Sequence, residues 1–353
     1  MKKLLVIGAH GLVIAGMVMM YQCDANAQVH TGTHNVITGL NASVTAGDFN
    51  TNADDYSVIA GGDQNMISTT GENDQFIGGG IGNLIVGGGA FNGFAVIVGG
   101  AANFVEGGWG EFLGGGFNNV ISNDLGQGFS TIAGGEENII TSDFATIGGG
   151  YENSAGISAD GNGYGTIAGG YYNTNNGYVA TIGGGGHNLA EGYYSTIPGG
   201  VGAKTTVYGQ QSHASGSFIA NSTFVLGSAQ VSEYTLFNQT TVTNESPLFL
   251  DGNSDLLVMP ANSTWSFEIM VSVRKANGDS GGFKANGVVK NVSGTITVQG
   301  GTLTVPAIVT PDVGTWKVTV SADSVHHAMA VHVFGDSSTN RWVAAVRTTE
   351  VTY

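Results

Sequence analysis

A ten-residue pattern recurs through the first two hundred residues of this chain: an aromatic residue, two small or β-branched residues, Ile, any residue, Gly-Gly, two variable residues and Asn. Clear copies run from Tyr56 through Ile59, Gly61 and Gly62 to Asn65, and from Phe129 through Ile132, Gly134 and Gly135 to Asn138. Ile147, Ile167, Ile182 and Ile197 mark further copies, and the repeat Asn recurs at Asn50, Asn65, Asn83, Asn103, Asn119, Asn138, Asn153, Asn173 and Asn188. Successive Asn are 15 to 20 residues apart, and the extra residues always fall between one Asn and the next aromatic. A fixed unit with insertions on one side is the mark of a solenoid, in which loops on one edge lengthen while the rungs stay in register.

Each unit reads as two short strands. Segments such as Thr146-Ile147 and Ile139-Ile140 are β-branched and bounded by turn residues. Gly-Gly supplies a positive-φ corner between them, where a Cβ would be strained. Rungs stacked about 4.8 Å apart pair every strand with its neighbours above and below, so about ten of them make a rod on the order of 50 Å long. One Asn per rung at a corner can form an amide ladder.

Composition agrees with this. Of 353 residues 60 are Gly, yet only 5 are Pro and no every-third-Gly period appears, which excludes collagen. The chain is 41% hydrophobic and only 10% charged, the reverse of a disordered polymer. Its formal net charge is −16. Between residues 28 and 203 there is no Lys or Arg beside fifteen acidic side chains, so no nucleic-acid partner is expected.

Lys2-Lys3, the apolar run from Leu4 to Met20 and Ala25-Asn26-Ala27 follow the layout of a secretory signal, expected over residues 1–27. Its removal would take away Cys23 and leave no disulfide. The expected layout continues as an N-terminal segment at 28–43, β-roll repeats at 44–230 and a transition at 231–261. The last part, 262–353, is an antiparallel β-sandwich of alternating strands around Trp265, Phe267, Trp316 and Trp342.

The rows of Ser/Ala-Thr-Ile-x-Gly-Gly-x-x-Asn, from Val44 to Gly227, resemble the head repeats of trimeric autotransporter adhesins (the YadA-like head), which occur also in phage tail-fibre and tail-spike proteins. The resemblance implies an all-β, left-handed parallel β-roll, three chains side by side, and use in attachment outside a cell or virion. The Trp-x-Phe, Trp-x-Val-x-Val and Arg-Trp-Val-Ala strands are similar to the distal domain of many phage and large-virus fibre proteins. The chain shows neither a long heptad stalk nor four C-terminal strands fit for a shared membrane barrel, so self-export is not expected.

No nucleophile elbow, paired catalytic carboxylates or phosphate loop is recognisable. The nearest approach, Gly199 to Thr205, lacks the final Gly and a following helical pattern. The expectation is therefore a protein that is not an enzyme and has no cofactor. Eight His invite a metal reading, among them His30, His34, His326, His327 and His332, but no His-x-His spacing supports it and none is expected. Acidic residues at equivalent places in neighbouring rungs, Asp48 with Asp63 and Glu137 with Glu152, suit Ca²⁺ or, more simply, a solvated acidic edge. The expected function is that of an extracellular or cell-surface homotrimeric fibre attaching through multivalent contacts with a glycan or protein receptor. The alternatives are a filament subunit assembled end to end and a receptor-binding protein of a phage tail.

Overall fold

The computed structural model describes residues 32–69, 74–87, 93–106, 109–122, 128–156, 163–220 and 223–353. The expected leader, Cys23 and His30 lie outside them. The described chain is all-β, with no helix.

The described residues between 33 and 215 form a parallel β-solenoid. One face is an eleven-stranded sheet of the segments that follow each Asn, from Val36–Ile37 to Lys204–Thr205. The other is built from the Ile segments, from Ser43–Val44 through Thr131–Ile132 and Thr146–Ile147 to Gln211–Ser215. A third line of contacts joins the residues just after Gly-Gly, for example Glu136 to Tyr151 and Tyr151 to Tyr171. The alternation of the short strands sends one side chain inward per strand. Ile59, Ile77, Ile97, Leu113, Ile132, Ile147, Ile167, Ile182 and Ile197 therefore stack on one side of a core, against Ile67, Ile85, Val105, Ile121 and Ile140 on the other, all fully buried. Each such side chain contributes about 1.5–3 kcal/mol by leaving water.

Among the described residues parallel pairing begins at Thr33, and Asn35 already belongs to the ladder, so the solenoid begins inside the expected N-terminal segment 28–43. That first rung has neither a Gly-Gly pair nor a leading aromatic, the two features that mark its successors.

The rod passes into the C-terminal sheets without a linker. Gln211–Ser215 pairs in parallel with Thr196 of the solenoid and antiparallel with Ala229–Thr240. Ala229–Thr240 then pairs with Asn340–Thr352, which pairs with Ser263–Arg274, and that strand with Ser280–Val292 and onward to Thr295–Val298. A second antiparallel sheet of Glu245–Pro247, Ala328–Phe334, Lys317–Asp323 and Leu303–Val305 packs over it. Trp265, Phe267, Trp316 and Trp342 are buried between the two. The expected transition at 231–261 is thus corrected. It contains most of a twelve-residue strand whose inward positions begin with Gln230 and Ser232 before reaching Tyr234 and Leu236, so its alternation starts out polar. Val225-Leu226-Gly227, inside the span expected as β-roll repeats, instead follows the short hairpin of Ile219–Ala220 and Thr223–Phe224.

Candidate functional site

The repeat residues do structural work. Each ladder Asn from Asn50 to Asn188 is almost wholly buried and fully bonded. Asn138 donates from its side chain to the carbonyls of Gly134 (3.2 Å) and Gly150 (3.0 Å), while its Oδ1 accepts the backbone N–H of Asn153 at 3.1 Å. The same arrangement holds at Asn65, Asn83, Asn103, Asn119, Asn153 and Asn173, and at Asn188 it ends on the N–H of Ala203. The residue before each Asn is left-handed, as at Gln64, Glu137, Glu152, Tyr172 and His187. So is the corner aromatic at Tyr56, Phe129, Phe144, Tyr164 and Tyr194.

Neighbouring acidic residues do meet across rungs. Asp48 bridges to Asp63 through the backbone, and the Glu137 carboxyl is raised by its contact with Glu152, which is lowered chiefly by the Tyr151 hydroxyl. All four are half-buried, and no group of three or more His, Cys, Asp or Glu is gathered among the described residues. His34 stacks on Phe49 with ring centroids 4.5 Å apart and lies 3.1 Å from Asp48. His332 faces Glu245 at 3.5 Å.

His326 and His327 belong to a different setting. They line an open cleft of about 680 Å³ where the last rungs of the solenoid face the loops of the sandwich. The rod contributes Glu191, Tyr193, Thr206, Val207 and Tyr208; the sandwich contributes Leu250, Ser254, Asp255, Leu256, Val258, Val325, His326 and His327.

Both walls are held in shape. Glu191 pairs with Lys204 at 3.0 Å. Opposite, the Asp251 carboxylate accepts N–H groups from Asn253, Ser254 and Asp255 at 2.8 to 2.9 Å and pins the loop. Burial pushes Asp251 up, but these three donors outweigh it and hold the carboxyl at about 2. Asp255 is raised, by its own partial burial and by the Asp251 charge beside it. His326 rests against Asp323 at 2.7 Å, the bond that chiefly keeps Asp323 low, and His327 bonds the Gly294 carbonyl at 2.5 Å.

Tyrosine rings, carboxylates and imidazoles around a partly apolar floor suit a polyhydroxylated ligand. Rings pack on the apolar faces of sugars, and the polar groups exchange hydrogen bonds with hydroxyls. Among the sequence-expected residues only the His326-His327 pair falls here. The remainder of the cleft had no signal of its own, since its walls are distant in sequence.

No protein-family model matches this chain, and no curated protein matches it. Two solved structures, both phage tailspike proteins, show a distant similarity to it. A tailspike protein, gp49, of Acinetobacter baumannii bacteriophage Fri1, described as a capsular polysaccharide depolymerase, has a TM-score of 0.23 and 7% identity, covering 89% of this chain and 70% of its own. The tailspike protein of Acinetobacter phage vB_ApiP_P1 has a TM-score of 0.18 and 10% identity, covering 90% of this chain and 81% of its own. The first is described as a depolymerase, an enzyme, and the expectation that this chain is not an enzyme is withdrawn.

Proposed function

We propose that this chain is a receptor-binding fibre protein of the phage-tail kind, a homotrimer that attaches to a cell-surface glycan through the cleft between rod and sandwich. The observation that carries this reading is the composition of that cleft: two tyrosines and a carboxylate from the rod face a carboxylate and two imidazoles from the sandwich. The joint supports it too, because a sheet that runs from the solenoid into the sandwich keeps both walls at a fixed separation. Lateral association is supported by an outward apolar line, Met66, Leu84, Phe104, Val120 and Ile139, whose members are only partly covered by their neighbours. Three copies of a weak site give avidity without new chemistry.

The test is a glycan array probed with the intact protein and with Tyr208→Ala, alongside light scattering. A trimer that binds glycans and loses them in the variant is expected. A monomer, or an array with no binder, overturns the reading. The same incubations, read for new reducing ends, decide whether bound polymer is also cut.

A further inference from the structure

The cleft is the upper end of a longer aromatic line. Six rings at or just before the corners follow one another up the rod, Phe129, Phe144, Tyr164, Tyr178, Tyr194 and Tyr208, each within 4.8 to 5.9 Å of the next. Their geometry changes partway. Phe129 lies nearly parallel to Phe144, at 14°, and Phe144 to Tyr164, at 4°, so these rings cover one another's faces. From Tyr164 upward the rings turn. Tyr178 is perpendicular to both Tyr164 (85°) and Tyr194 (86°) and lies at 54° to Tyr193, and Tyr208 lies at 50° to Tyr194. An edge-on partner leaves a ring face uncovered. The turn coincides with a change from Phe to Tyr and leads to Tyr193 and Tyr208, which are cleft walls.

Charge narrows the ligand. The rod carries no Lys or Arg between residues 28 and 203, and Lys204, the next cation along the chain, is paired with Glu191. Glu191 and Asp255 line the cleft, with Asp251 behind. A polymer with a carboxylate or phosphate on every repeat would find no Lys or Arg along Tyr164 to Tyr194 to pair with, and would meet Asp255 and Asp251 at the cleft.

Resting on the glycan reading above, we infer that the ligand is a linear polysaccharide without acidic groups, neutral or bearing free amines. It lies lengthwise on Tyr178, Tyr193, Tyr194 and Tyr208 before entering the cleft. Rungs about 4.8 Å apart match the advance of one pyranose unit in an extended chain, so each added sugar meets the next ring.

The experiment is calorimetric titration of the intact protein with length series of linear oligosaccharides: neutral glucans and mannans, chitosan oligomers, and hyaluronate and alginate oligomers as polyanions. Affinity for a neutral or amine-bearing series should rise with each added sugar until the tyrosine line is covered and then level off. Tyr178→Ala should weaken the longest oligomers about tenfold, the worth of one ring contact at its upper range, and leave the shortest unchanged. Tyr178→Phe, which keeps the ring, should behave as the parent protein and controls for folding. Short oligomers that bind with no length dependence overturn this inference and leave the cleft reading standing, as does binding confined to polyanions. Tyr178→Ala that alters the oligomeric mass but not the affinity assigns the rings to a subunit contact and also overturns it. No binding by any series removes both readings.

Discussion

The side-chain oxygen of Asn119 accepts two hydrogen bonds from Asn138, one from its backbone N–H at 3.0 Å and one from its side-chain amide at 3.1 Å. Every rung thus holds the next through a buried amide whose donors and acceptor are all used. A buried polar group of this kind adds little when satisfied and costs much when it is not. The ladder therefore acts chiefly by penalising any other register.

Asn138→Asp tests that claim with almost no change in shape. It removes the donor toward Gly134, Gly150 and Asn119 and puts a carboxylate against three carbonyl oxygens. Burial and those oxygens must raise its pKa above the unfolded value of about 3.9. The folded state then holds the proton longer than the unfolded state, so stability is best at low pH and falls as pH rises through the folded pKa. Thermal unfolding followed by circular dichroism should show a deficit of about 1–3 kcal/mol or more that is larger at pH 7 than at pH 4. A deficit independent of pH would contradict the account.

The same sign applies to a native residue. Asp54 is 1% exposed, and neither carboxylate oxygen has a donor in hydrogen-bond geometry. Burial raises its pKa first of all, the nearby Thr69 hydroxyl and the Asp55 N–H oppose this in part, and the Asp55 and Asp74 charges add to it. Stability from this position is greatest below the ordinary carboxyl range and is lost as pH climbs through the raised value. Asp54→Asn should remove that slope and raise stability at pH 7 by about 1–2 kcal/mol, read as a higher melting temperature at neutral pH only.

The parts of the fold that were legible are those where each position does one thing. Ile132 and Ile147 fill the core, Asn138 and Asn153 the ladder, Gly135 and Gly150 the corner, and each recurs at its own place. The strand Ala229–Thr240 was not legible because its inward residues at the rod are Gln230 and Ser232, which satisfy one another with Gln210, Ser212, Tyr234 and Glu350 instead of packing as hydrocarbon. Ser280–Val292 was hidden for another reason: Gly287 lies where a Cβ would reach 2.5 Å from the Phe267 ring, so bulk is supplied by the partner strand. The cleft was invisible because Tyr208 and His326 meet only through the fold.

That polar junction yields its own prediction. Tyr234 donates to Glu350 at 2.7 Å, and Gln230 donates to the other carboxylate oxygen at 2.8 Å. Burial first, and then the Glu350 charge, lift the Tyr234 hydroxyl far above its ordinary pKa, so it serves as a donor at every working pH. Tyr234→Phe leaves a buried carboxylate short of a donor and should cost about 1.5–3 kcal/mol, the worth of a hydrogen bond to a charged group. Hydrogen exchange should show the loss on both sides of the joint, in Gln211–Ser215 and in Asn340–Thr352. A loss confined to the sandwich would mean that the network does not couple the two parts.

The two glycines of each corner look alike in sequence and differ in the fold. Gly135 has φ of +98°, and a Cβ there would stand 2.3 Å from the Gly150 carbonyl oxygen and 2.6 Å from the Asn138 amide nitrogen. The first glycine, Gly134, has no such φ, and its added Cβ would find nothing nearer than 3.9 Å. The chain already carries Ala46 at the equivalent place before Gly47. Gly134→Ala should therefore be neutral or stabilise by up to about 1 kcal/mol, because it restricts the unfolded chain more than the folded one. Gly135→Ala must break the contact between two rungs as well as strain its own backbone, and should lower the melting temperature sharply or prevent soluble expression. Equal effects of the two variants would mean that the corner is held by something other than the close approach of successive backbones.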